Sequence, residues 1–212
     1  MNAGNLLVGV ALGAALGYGG ARLAPRWLQK PQWGPSAYVA AVANAVLVGL
    51  LAGSHGLGRY FWTQLIFVSI LTLASLVDLH ERIIPNEVVL FGLVAGVLLA
   101  LVAPYPERSW LQALAGAGAG FGFLLVLALL VKGGMGLGDV KLAAVIGLFL
   151  GLKWVGMGLV FAFLAGGVLS GLLLLLRIVG RKDHVPFGPF LALGAAVTAV
   201  YGPQIWQWYT SL

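Results

Sequence analysis

The chain has 212 residues, of which 61% are hydrophobic and only 8% charged, with a formal net charge of +6 and a mean hydropathy of +1.02. A soluble domain carries about a quarter charged residues, so this is the composition of an integral membrane protein, and its excess of Lys and Arg reports topology and lipid contact rather than nucleic-acid binding. With no cysteine, disulfides, thiolate zinc sites, iron–sulfur clusters and a cysteine nucleophile are excluded, and the three scattered histidines (His55, His80, His184) predict no metal site.

Apolar runs long enough to cross a bilayer predict an all-α, polytopic helical bundle of about eight spans. They fall at about 4–21, 37–53, 61–77, 87–103, 110–131, 139–152, 154–176 and 188–209. The first lacks a positive charge in Met1–Asn5 and is expected to be a retained helix, not a signal peptide. The sixth is short, which suits either a tilted helix or a tight hairpin with the seventh. No polar stretch is long enough for a separate domain, so residues 1–212 are expected to form one membrane domain. Gly9, Gly13 and Gly17, then Gly116 and Gly120, then Gly167 and Gly171, recur every fourth residue and predict close helix packing. Trp27, Trp33, Trp62, Trp110, Trp154, Trp206 and Trp208 lie near the predicted span ends, as interfacial anchors do.

The basic residues set the orientation. With eight spans, one side collects Arg22, Arg26, Lys30, Arg82, Lys132, Lys141, Arg177, Arg181 and Lys182, and the other only Arg59, Arg108 and Lys153. The richer side is expected to be cytoplasmic and both termini outside. Asp78 follows the third span and Asp139 precedes the sixth, so both are expected at the cytoplasmic face.

Those two acids are the chain's most informative residues. An ionised carboxylate against hydrocarbon is costly and is usually functional. Asp139 ends the segment Gly134-Met135-Gly136-Leu137-Gly138-Asp139, and Asp78 precedes His80-Glu81-Arg82-Ile83-Ile84-Pro85-Asn86. Taken singly, each has an ordinary reading: Asp139 as the N-cap of the sixth helix with Gly138 allowing the turn, and Asp78 as a cap ending the third. Of the other acids, Glu81, Glu107 and Asp183 look solvated, while Glu87 suits the first turn of the fourth helix. As a pair, two close carboxylates share a proton, one serving as base on a water and the other as acid toward a carbonyl. That hydrolyses a peptide bond without Cys, Ser or metal. The glycines beside Asp139 would let an extended substrate backbone approach and let the loop move.

Gly136-Leu137-Gly138-Asp139 resembles the GxGD signature of membrane aspartic proteases, and the context Lys132–Leu142 resembles the type IV prepilin peptidase branch. Asp78 with Ile84-Pro85-Asn86, and Val185-Pro186-Phe187-Gly188-Pro189-Phe190-Leu191-Ala192, occur in the order of that family. The likeness covers the core within 36–209. The presenilin-type branch fits less well, since its Pro-Ala-Leu element is missing. The resemblance implies an endopeptidase that removes a short basic leader, after a glycine, from type IV pilin-like or pseudopilin precursors at the cytoplasmic face of the cell membrane. Asp78 and Asp139 would be catalytic, Gly136 and Gly138 would shape the substrate loop, and Lys132 and Lys141 are candidate auxiliary groups or simple positive-inside anchors. The Phe187–Phe190 block, near the active site in the family, is given no chemistry and reads equally as the start of the last helix. No cofactor is implied.

Many members of that family carry a cysteine-bearing insert between the first two spans and also methylate the new N-terminus. Here that loop is only about Arg22–Ser36 and holds no cysteine, so N-methyltransferase activity is expected to be absent. The rival reading is a small proton- or cation-coupled carrier using the same aspartates, which would favour mid-bilayer acids and an inverted repeat.

Overall fold

Eight helices follow one another in the computed structural model, which describes residues 2–23, 35–103, 109–131, 135–178, 180 and 185–211. They are α1 (Ala3–Leu23), α2 (Pro35–His55), α3 (Arg59–Glu81), α4 (Asn86–Val102), α5 (Trp110–Leu130), α6 (Leu137–Leu150), α7 (Leu152–Leu175) and α8 (Gly188–Thr210). All eight predicted spans are present as helices, and no strand occurs among the described residues. Five are long and apolar enough to cross a membrane: α1, α2 over Tyr38–His55, α3, α5 and α7. The chain is therefore a multi-pass membrane helical bundle. Arg26, Lys30, Lys132, Gly134, Arg181 and Lys182 lie outside the described residues, as do Trp27, Trp33, Glu107, Arg108 and Asp183.

Helix association in lipid depends on close backbone approach, because apolar burial from lipid gains little. The α1–α2 pair shows this directly. A Cβ at Gly9 would lie 2.5 Å from Ala52 Cβ, one at Gly13 2.7 Å from the Asn44 carbonyl oxygen, and one at Gly17 2.8 Å from Ala41 Cα. Gly116 and Gly120 likewise face the α6 backbone at Gly147 and Ala143. The Gly167/Gly171 pair does not behave as its spacing predicts: nothing lies within 4 Å of either, and both are exposed on α7. In α7 the packing glycines are Gly158, against Leu150 and Ala195, and Gly166, against Phe187 and Phe190. Four-residue spacing fixes which glycines share a helix face but not which way that face points.

Helix α6 is central. Its 14 residues include ten that are buried, on a helix only about 21 Å long. That is shorter than a bilayer core, and the length is tolerable because protein, not lipid, surrounds it. A single residue, Gly151 at φ 78°, separates α6 from α7, which makes the tight hairpin form of the sixth span the observed one. Phe67 of α3 and Phe149 of α6, both fully buried, stack with ring centroids 4.8 Å apart. Asp78 lies eleven residues after Phe67 and Asp139 ten before Phe149. At 1.5 Å per residue these are about 16 and 15 Å along two oppositely running helices, so the stack brings both acids to one level.

Trp62, Trp110, Trp206 and Trp208 are exposed near helix ends, as anchors should be. Trp154 is not: it is buried at the start of α7, edge-on to Trp206 with centroids 6.3 Å apart and under the Lys153 ammonium.

Candidate active site

Asp78 occupies the last turn of α3, where its carbonyl accepts the Arg82 N–H at 2.9 Å. Arg82 closes the helix in the left-handed region at φ 56°, an unusual conformation for a side-chain-bearing residue, and this reverses the chain into Ile83–Pro85. The Asp78 carboxylate does not cap its own helix. Its Oδ2 accepts the N–H of Gly188, the first residue of α8, at 2.9 Å. A carboxylate there meets the positive end of the α8 dipole. The second residue of α8, Pro189, brings no N–H, so proline does fall in the first turn as the sequence suggests.

Asp139 is not the N-cap of α6. Gly136 holds that place, and Asp139 is the third helical residue. The two are joined both ways: Gly136 N–H donates to Asp139 Oδ2 at 3.2 Å, and Asp139 N–H donates to the Gly136 carbonyl at 3.1 Å. The change of register follows from glycine at 136, which has no side-chain acceptor, so the acid one turn later supplies it. Neither Gly136 nor Gly138 takes a positive φ. Gly138 is explained instead by close approach, since a Cβ on it would lie 3.1 Å from Ile84 Cβ.

The two acids meet. Asp78 and Asp139 are 5% and 8% exposed, and both line one cavity of roughly 260 Å³. Its wall is completed by Gly136 and Gly138 on the α6 side and by Arg82, Ile84 and Asn86 on the other. Lys141 also lines it, with Nζ donating to Asn86 Oδ1 at 2.9 Å. Glu87 stands in the first turn of α4, exposed, and Glu81 is half-buried at the end of α3. Lys132 and Gly134 belong to the stretch outside the described residues. No group of three or more potential metal ligands occurs among the described residues.

Two features of the site escaped the sequence reading. Gly188 acts through its backbone N–H, which leaves no side-chain signal; the only pointer was the position of the Phe187–Phe190 block. Asn86 was visible as part of a motif but had no assigned partner. The structure pairs it with Lys141, 55 residues away.

Comparison with known proteins identifies the family. The model of the type IV leader peptidase family matches residues 65–175, a stretch containing both Asp78 and Asp139. A Bacillus subtilis (strain 168) protein named prepilin leader peptidase/N-methyltransferase is 32% identical over 173 residues, which cover 82% of this chain and 69% of that one. Proteins of the same name from Aeromonas salmonicida (strain A449) and Pseudomonas aeruginosa are 32% and 29% identical, covering 69% and 79% of this chain. The chain spans about half the length of the Aeromonas relative, 52%, and 59% of the Pseudomonas one. No solved structure matches. The match does not favour the carrier alternative. With a family model over more than half its length and a relative of this identity and coverage, the chain belongs to the type IV leader peptidase family.

Proposed function

We propose that this chain is a membrane aspartic endopeptidase that removes the leader from type IV pilin-like precursors, with Asp78 and Asp139 as the catalytic pair. One observation carries the reading: two carboxylates 61 residues apart in sequence, each nearly buried, line the same small cavity at adjoining helix ends. The chemistry follows from the pair. The ionised carboxyl takes a proton from a water as its oxygen adds to the scissile carbonyl carbon, while the protonated carboxyl hydrogen-bonds the carbonyl oxygen and gives up its proton to it. Collapse of the resulting gem-diol breaks the C–N bond, with a proton passing to the leaving amine. The products are the leader with a new carboxylate and the mature chain with a free amine. No metal or cofactor enters any of these steps.

Gly136 and Gly138 line the wall past which an extended substrate must run, and a peptide with glycine at the cut would pass it most closely. The asymmetry of Lys and Arg supports placing the cavity at the cytoplasmic face of the cell membrane with both termini outside. The domain is taken as the whole of 1–212, with 36–209 its family-like core.

The test is cleavage of a purified precursor by Asp78→Asn and Asp139→Asn. An amide can neither activate water nor give up the shared proton, so each variant should lose cleavage while remaining inserted and abundant. Glu81→Gln should cut nearly as the parent does. Parental cleavage by either Asn variant would remove that residue from the mechanism.

A further inference from the structure

Asn86 and Lys141 both line the cavity and are bonded to each other. The bond between Lys141 Nζ and Asn86 Oδ1, at 2.9 Å, ties the first residue of α4 to the start of α6. Asp139 lies two residues before Lys141 on α6, and Asn86 closes the segment Arg82–Asn86 that hangs from the end of the Asp78 helix. The bridge therefore runs along the cavity wall and joins the segments that carry the two acids.

The neighbouring contact of Gly138 with Ile84 is apolar and close, so it sets how near α6 comes to that segment. It does not set rotation about the α6 axis. The packed body of α6, with ten of its fourteen residues buried, sets most of that, and the hydrogen bond adds a directional tether at the start of the helix, where Lys141 is about 200° around from Asp139 and any local twist moves both. The acceptor is also chemically apt. An amide oxygen holds the ammonium without adding a third carboxylate to a wall that already carries two.

We propose that Asn86 and Lys141 are positioning residues for the peptidase reaction: their bridge holds the first turn of α6 at the rotation that points Asp139 toward Asp78. The inference rests on Asp78 and Asp139 being the reacting pair, and the experiment separates the two.

Cleavage of a full-length type IV pilin precursor is measured in vesicles of phosphatidylethanolamine and phosphatidylglycerol, with kcat and KM taken apart. Asn86→Ala and Lys141→Met should each lower kcat about tenfold with KM within about twofold, as misorientation of a reacting group does. The double variant should be no slower than the singles, because a bridge can be broken only once. Lys141→Arg, which keeps a donor, should recover most of the rate. Thermal midpoints in detergent should stay close to the parent's, since an exposed bond contributes little to stability. Single variants with parental kcat, a double variant slowed by the product of the two singles, or no recovery with Lys141→Arg would each overturn the bridge. Asp78→Asn and Asp139→Asn run beside them: if these still cut, the assignment of the reacting pair fails; if they are dead while the bridge variants behave as parent, only the bridge fails.

Discussion

Gly188→Ala is the sharpest perturbation of this site, because it touches one atom pair. The Gly188 N–H holds Asp78 Oδ2 at 2.9 Å, and an added Cβ would lie 2.7 Å from that oxygen and 3.3 Å from Asp78 Cβ. Ordinary contact begins near 3.4 Å, so the carboxylate must retreat by about 0.7 Å and cannot keep the same hydrogen bond. Helix α8 itself has no objection to alanine: Gly188 has no positive φ, and alanine is favoured over glycine in a helix by ~0.5–1 kcal/mol. Against that stands one lost hydrogen bond to a charged group, about 1.5–3 kcal/mol. The net loss of stability should be about 1–2 kcal/mol, leaving the protein folded. Activity should suffer more, since a misplacement of around 1 Å costs on the order of 100-fold. The expected result is a 10- to 100-fold lower kcat, read by gel shift of a cleaved precursor, with a thermal midpoint only slightly reduced. Gly167→Ala is the control, as nothing lies within 4 Å of it, and should match the parent in both measurements. A Gly188→Ala enzyme that cuts within twofold of parent would refute the claim that this amide sets the position of Asp78.

Three further outcomes can be checked. Asn44, fully buried, donates to the Gly13 carbonyl and Ser69 Oγ and accepts from Thr72 Oγ1, tying α1, α2 and α3; Asn44→Leu should cost about 2 kcal/mol in detergent unfolding at the modest value of each such bond in membranes. Because the chain has no cysteine, single substitutions can be labelled without background: Arg82→Cys and Arg181→Cys should react only from the cytoplasmic side, Ser54→Cys and Glu107→Cys only from outside, and labelling of Arg82→Cys from outside would reverse the proposed orientation. Incubation with a precursor and labelled S-adenosylmethionine should give a mature N-terminus without an added methyl group, since the loop over about 22–36 is short and lacks cysteines; a product heavier by one methyl would show that other parts of the chain suffice.

What could be read from the sequence, and what could not, follows from the solvent. Water marks the outward face of a helix with polar residues, and a 3.6-residue period then tells core from surface. Lipid removes that contrast. Leu129, Leu164 and Val168 face outward while Leu142, Val145 and Ile146 are buried, and the chain writes both sets in the same aliphatic letters. Span existence was legible, because length and apolarity alone specify it. Which helix lies at the centre was not, and neither was the outward direction of Gly167 and Gly171. The exceptions to apolarity are where information survives. Asp78 and Asp139 stood out because a carboxylate beside hydrocarbon needs a partner, and the structure supplies backbone N–H groups at two helix starts. Asn44 carries the same kind of signal inside the second span, where a buried amide needs partners on the neighbouring helices. Gly188 carries no side-chain signal, since what it offers Asp78 is an amide that every residue but proline has. Its glycine identity records only that no Cβ fits beside the carboxylate. In such a chain the misfit polar residues locate the site, while the backbone groups that satisfy them become visible only once the helices are placed.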